Sequence, residues 1–390
     1  MMQMMMKKRI QQSAAMIAAT AILSLSCLAV PNAQAAETSE TAPKIVQVAA
    51  SGSSLALDDQ GNVWCSALHA ISVKDGYHPN LMIKAKGLNH VVRMSGDLVL
   101  REDGTVWTIE TPDVAPSDLK QHVSAELGDP IPDLKEIVKI QDIGMLGLAI
   151  DREGKAWFFE SAPRWLKNDP TFTLKAKPVL IEGLDHVKDV SVSNDSVMFL
   201  KDDGTIWGID TYIPVSRIHG DNPSLYDTIR STKPVRMNNL NDIAKLGNNI
   251  ALKKDGTVWI WGRDKFAKPE SDISEKAIAP FQVAGLADIV DFSKIVDNGK
   301  SGNKTLFVKK DGTVWGWGFF SEDWIPGSEP VGAWRDVFQL KSLSDVAYLP
   351  ISGTDAVVKK DGTLWLWGTN NSYSTFIKDP LPVEFNANMK

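Results

Sequence analysis

A short pattern recurs seven times along this chain, and no other feature limits so tightly what the chain can fold into. It reads DDQGNVW at 58–64, REDGTVW at 101–107, DREGKAW at 151–157, KDDGTIW at 201–207, KKDGTVW at 253–259 and 309–315, and KKDGTLW at 359–365. Its glycines, Gly61, Gly104, Gly154, Gly204, Gly256, Gly312 and Gly362, are spaced by 43, 50, 50, 52, 56 and 50 residues. A period of this length marks one supersecondary unit that cannot bury its apolar face alone and must stack on copies of itself.

Within a unit the pattern reads as a hairpin. An apolar strand such as Asn249-Ile250-Ala251-Leu252 leads into a polar turn, and a second strand starts at Thr257-Val258-Trp259. Asp255-Gly256 suits a type I turn closed by a bulge, because glycine reaches positive φ freely and aspartate bonds nearby backbone. A second signature follows in Gly183-Leu184-Asp185-His186-Val187, Asn239-Leu240-Asn241-Asp242-Ile243 and Gly285-Leu286-Ala287-Asp288-Ile289. It is preceded by Pro178-Val179, Pro234-Val235 and Pro280-Phe281, with Pro330-Val331 as the matching pair of the sixth unit. Each unit thus offers about four short strands, the content of one propeller blade.

Val258 and Ile260 alternate with Trp259 and Trp261, and the same alternation returns at Val314 to Trp317 and Leu364 to Trp367. A strand apolar on both faces lies buried between two layers. Trp64, Trp107, Trp157, Trp207, Trp259, Trp315 and Trp365 are therefore expected as packing anchors. The expected fold is all-β: a seven-bladed β-propeller of four-stranded antiparallel blades. The chain starts its first unit at Lys44 without a Pro-Val strand and ends on an extra Pro382-Val383-Glu384-Phe385. Pairing of Val383 to Phe385 into the first blade is expected to close the ring and remove its exposed edges.

The repeat resembles that of the regulator of chromosome condensation family, on Leu246-Gly247, Ala251-Leu252, Asp255-Gly256-Thr257-Val258 and Trp261-Gly262, with Trp317-Gly318 and Trp367-Gly368 alongside. The resemblance covers the chain from about residue 44 to its end and implies a seven-bladed propeller. It does not extend to the family's usual Gly-Gln-Leu-Gly after Trp-Gly, where Arg263-Asp264-Lys265-Phe266 stands here. No exchange-factor activity is carried over with it.

The first 35 residues differ in kind. Lys7, Lys8 and Arg9 precede an apolar stretch from Ala14 to Val30 and a small-residue end at Ala33-Gln34-Ala35, the layout of a cleaved export signal. The domain plan is accordingly an export signal at 1–35, a short linker at 36–43 and the propeller at 44–390. Loss of the three basic residues takes the formal charge from -6 to -9, a poor match for nucleic acid. Cys65 is then the lone cysteine, so packing alone must hold the fold.

Motifs for chemistry fail on inspection. His90 and His186 fall in the slot that Glu136, Asp242, Asp288 and Asp336 fill in other units, and His69, His78, His122 and His219 are scattered without zinc spacing. The acidic turns run into tryptophan too soon for a calcium loop. Gly299-Lys300-Ser301 ends like a phosphate loop but has Lys294 where the first glycine belongs. Neither a metal nor a cofactor is expected.

What varies between units is the segment between the tryptophan strand and the next Pro-Val pair, at 110–132, 161–177, 210–233, 263–279 and 319–329. These segments are expected on one common side of the ring, where repeat proteins often bind. They carry Trp165, Phe172, Tyr212, Tyr226, Phe266, Phe320 and Trp324, read either as plugs on the blades or as contacts. Trp165, Tyr212, Tyr226, Phe266, Phe320 and Trp324 are the binding candidates. Trp334-Arg335-Asp336-Val337 overlays Leu286-Ala287-Asp288-Ile289, which makes Trp334 a core residue.

The expectation is a secreted or envelope-associated monomeric module, non-catalytic and free of the membrane once the signal is removed. Its variable loops would meet a protein or a cell-surface glycan. Two other readings stand beside it: a polysaccharide hydrolase or lyase with acids converging at one ring face, and an inhibitor of a secreted enzyme.

Overall fold

The computed structural model describes residues 42–51, 53–66, 81–110, 125–144, 146–161, 177–193, 196–211, 225–262, 278–295, 304–320, 333–350, 356–370 and 375–387. Seven antiparallel sheets form seven blades, at residues 45–84, 91–130, 137–180, 187–236, 243–282, 289–339 and 346–382. In every blade four strands pair in the order in which they occur in the chain. The first strands of neighbouring blades touch around the axis, so each blade runs from the axis outward.

The turn chemistry acts as its residues require. Gly256 takes φ 82°, and the Lys253 amide donates to Thr257 O while the Gly256 amide donates to Lys253 O. Both faces of the following strand are buried. Val258 and Ile260 pack with Val283, Ile289, Phe292 and Phe307 on the sixth blade's side, and Trp261 packs with Met198, Leu200 and Ile206 of the fourth blade. Each fully buried side chain of this size contributes roughly 1.5–3 kcal/mol, so the interfaces between blades form the core.

The blades are also joined through backbone at the repeat glycines. Val91, Ile137, Val187, Ile243, Ile289 and Val346 each donate an amide to the glycine carbonyl of the preceding blade, at Gly61, Gly104, Gly154, Gly204, Gly256 and Gly312. The residue before each donor is left-handed: His90, Glu136, His186, Asp242, Asp288 and Asp345 have φ between 51° and 59°. His90 and His186 are thereby structural.

Asp345, and not Asp336, holds that slot in the sixth-to-seventh junction. Trp334 belongs to the outermost strand of the sixth blade, Ala333–Gln339, where it pairs with Phe319. The overlay on Leu286 is thus corrected, because an extended residue in a ladder cannot also make the left-handed step that presents the next amide to Gly312. Trp334 is half-buried, edge-on to Trp317 at 4.8 Å, and packs against the core from its rim. Gln339 pairs with Trp315 as Gln282 pairs with Trp259. The fourth-strand match of this blade therefore lies at Phe338-Gln339, while Pro330-Val331 is outside the described residues.

The C-terminal strand Glu384–Asn386 pairs with Leu81–Lys84 of the first blade. It is a fifth strand, parallel and outermost, since Leu81–Lys84 already completes the blade's own four. Phe385 meets the Trp64 ring edge-on at 5.2 Å. Residues 1–35, where an export signal is expected, lie outside the described residues.

Candidate functional site

Antiparallel order within a blade decides which loops share a face. The turns between first and second strands and the connections between third and fourth strands leave the same end of the ring, here the loop face. The Asp-Gly turns leave the opposite end, the turn face.

On the turn face the polar groups repeated from unit to unit are engaged with one another. In five blades the aspartate before the glycine accepts from the threonine hydroxyl two residues on, and that hydroxyl accepts the indole N–H of the repeat tryptophan. Asp255, Thr257 and Trp259 form one such relay, at 2.7 and 3.2 Å, and Asp311, Thr313 and Trp315 another, at 2.7 and 3.0 Å. The threonine bonds hold the carboxyls of Asp103, Asp203, Asp255, Asp311 and Asp361 below the usual range. The first and third blades reach the same end by another route. Asp58 and Asp151, where other units carry Lys or Arg, accept the indoles of Trp64 and Trp157 directly, each at 2.9 Å. In the remaining blades that cation covers the ring, as Lys359 does over Trp365 at 3.8 Å and Lys309 over Trp315 at 4.2 Å.

Of the binding candidates, Trp165, Tyr212, Phe266 and Trp324 lie outside the described residues, and Tyr226 sits in the short helix Leu225–Ser231. Phe320 does not serve a surface. It is 1% exposed and edge-on to Phe338 at 4.8 Å, within a cluster that includes Leu306, Leu340 and Leu349. Period-two alternation extends two residues beyond Gly318 and turns Phe320 inward, so it is a plug on its blade.

The axis holds what the repeat pattern did not reveal. The third residue of each first strand is, in blade order, Gln47, Arg93, Lys139, Asp189, Lys245, Asp291 and Tyr348. Lys139 pairs with Asp189 and Lys245 with Asp291 across blade junctions. Asp291 also accepts the Leu349 amide at 2.7 Å, and Gln47 exchanges two hydrogen bonds with the Met94 backbone. A cavity of about 470 Å³ runs along these strands toward the loop face, past Ser95, Asp142 and Ser191. A second, of about 320 Å³, opens by Val46, Val92 and Tyr348. Aligning the third residue of each first strand would have exposed this ring in the sequence. It went unnoticed because one polar residue per strand looks like ordinary alternation.

Near the loop-face end, Asp142 Oδ2 accepts the Asp97 amide at 2.7 Å and Oδ1 accepts the Gly144 amide at 2.9 Å. Burial pushes the Asp142 carboxyl up to about 6, against the pull of these bonds, and burial raises Asp97 as well. The pair fastens the turn of the second blade to the third.

Seven four-stranded blades around a polar channel, with the Asp-Gly turns at one end and the third-to-fourth-strand connections at the other, define a seven-bladed β-propeller. Among solved structures with this fold is Prp20p from Saccharomyces cerevisiae, whose binding to Gsp1p and histones is described. It matches at 17% identity and TM-score 0.51, over 76% of this chain and 77% of that one. Yeast RCC1 (Prp20) in complex with Kap60 matches at 14% identity and TM-score 0.47, over 87% and 75% of the two chains. Human WBSCR16 matches at 13% and 0.48, over 88% and 83%. No protein-family model and no curated protein matches the sequence.

Proposed function

We propose that this chain is an exported, non-enzymatic binding module that docks a protein or a cell-surface glycan through its loop face. One observation carries the reading: the length and sequence differences between units fall in the connections that leave that face, whereas on the turn face the repeat aspartates, threonines and strand-end cations are engaged with the blade tryptophans. The yeast protein of similar fold is described by its binding to protein partners, and a protein partner is our first choice for this chain. Export rests on the layout of residues 1–35.

The competing hydrolase or lyase reading would use acids on the ring. Asp97 and Asp142 are the pair it would call on, but the Asp142 carboxylate is already engaged by two backbone amides, a fastening role. Capture from extracellular material with the purified chain, against a variant carrying Trp165→Ala and Trp324→Ala, tests the proposal. Loss of captured partners by the variant is expected. An identical set of partners would remove the loop face from consideration.

A further inference from the structure

The ring of third-position residues does not balance. It brings three cations to the axis, Arg93, Lys139 and Lys245, against two anions, Asp189 and Asp291, and each aspartate is taken by one lysine. Arg93 carries the surplus. Among the described residues its guanidinium enters no ion pair and no hydrogen bond, although it is half-buried and permanently charged. An arginine in that position needs a counter-charge, because a desolvated and unmatched ion is costly.

Tyr348 supplies a second unmatched donor in the same place. Its hydroxyl is buried and, among the described residues, bonded to no group, and it lines the cavity of about 320 Å³ that Arg93 also lines. Burial and the neighbouring Asp291 carboxylate both raise the proton affinity of the Tyr348 hydroxyl, which keeps it a donor, and Lys245 lines the cavity beside its partner Asp291. At the mouth of the cavity stand Val46 and Val92, 47% and 48% exposed, each one residue before its blade's axial side chain.

We infer that this end of the channel binds a small carboxylate with a short apolar tail, held by the Arg93 guanidinium and the Tyr348 hydroxyl, with the tail against Val46 and Val92. A planar carboxylate matches the two-pronged donor of arginine, and tyrosine donates a single further bond. A tetrahedral phosphate has no use for the valines. The site is lined mainly by first strands around the axis and by none of the third-to-fourth-strand connections, so it stands or falls independently of loop-face docking.

Calorimetric titration of the purified chain with butyrate, and separately with inorganic phosphate, at constant ionic strength tests the inference. Saturable one-to-one binding of butyrate with a dissociation constant of about 0.1–1 mM is expected, with phosphate weaker. Arg93→Gln is expected to weaken butyrate about 10- to 100-fold. Tyr348→Phe, which removes one oxygen and keeps the ring, is expected to weaken it several-fold without lowering the melting temperature. Arg152→Gln on the exposed turn face leaves it unchanged. Should Arg93→Gln fail to fold, the Tyr348→Phe titration decides. Absence of saturable butyrate binding, phosphate binding as tight as butyrate, or full affinity in the folded variants would overturn the assignment.

Discussion

The amide of Ile45 donates to the carbonyl oxygen of Gly362 at 2.9 Å. One residue opens the first blade and the other is the repeat glycine of the last, so this bond is the seventh member of the series that joins every blade to the next. With it in place the ring closes through the same contact that builds it. The parallel strand Glu384–Asn386 covers the closed first blade from outside.

The repeat glycine Gly154 is expected to tolerate alanine far less well than the equally left-handed Gly183, which has open surroundings. Gly154 and Gly183 have φ of 77° and 83°, but a methyl at Gly154 would lie 2.8 Å from the Cα of His186, while none of the surroundings comes within 4 Å of one at Gly183. Gly183→Ala pays conformational strain alone, roughly 1 kcal/mol. Gly154→Ala must also push two blades apart and is expected to lose about 2–4 kcal/mol. Chemical denaturation of both variants measures the difference, and equal losses would contradict the blade-to-blade contact.

The two indole relays should be exchangeable as sets and not piecewise. Asp151→Lys removes the acceptor of the Trp157 N–H and is expected to destabilise by about 1–3 kcal/mol. Adding Glu153→Asp and Lys155→Thr rebuilds the arrangement that Lys309, Asp311 and Thr313 make around Trp315. The triple variant is expected to recover most of the loss in thermal melts. No recovery would show that the threonine relay depends on more than these positions.

Phe320→Ala is expected to destabilise by about 3–5 kcal/mol, because the ring is fully buried against Phe338 and the apolar cluster around it. A melting-temperature drop with partner capture retained below that temperature is the anticipated pair of results. Loss of capture by a protein of unchanged stability would return Phe320 to the binding surface.

Asp142 makes stability depend on pH in a direction opposite to that of most acids. Its carboxyl keeps a proton up to about pH 6 in the folded chain and only to about 3.8 when unfolded. Between those values the folded state binds more protons, so stability falls as pH rises, by on the order of 3 kcal/mol. The turn-face acids, whose folded values are lowered, act the other way, and their contribution is already complete above the unfolded carboxylate range. Asp142→Asn retains one acceptor, sheds the charge and is expected to flatten the profile between about pH 4 and 6. Urea midpoints across this range check it, and an unchanged slope would rule Asp142 out as the source.

The sevenfold count, the turn at Asp255-Gly256 and the two buried faces of the strand at Val258 were all legible in the sequence, because each is written within one unit and repeated. So was the structural use of His90 and His186, once they were compared with the aspartates in the same slot. The overlay of Trp334 failed because two stretches nine residues apart both end in an aspartate followed by valine; Asp345, 33 residues after Gly312 as Asp288 is 32 after Gly256, is the one with the left-handed backbone. Phe320 was misjudged for a related reason. A strand's last residues look like loop until their partners Ala333 and Trp334 are seen.

The amino-acid sequence by itself determined the architecture, since turn preference and apolar alternation are local and a period of about fifty residues multiplies them into blades. Which charges pair at the axis was decided by tertiary structure alone. Whether Lys245 meets Asp291, whether Lys139 meets Asp189 and whether Arg93 is left over depend on which residues of successive blades face each other after the ring has closed. Those neighbours stand about fifty positions apart, and no local pattern relates one charge to the next. The place of the C-terminal strand was decided in the same way, by the outer edge of the first blade at Leu81–Lys84, at the far end of the chain from Glu384–Asn386.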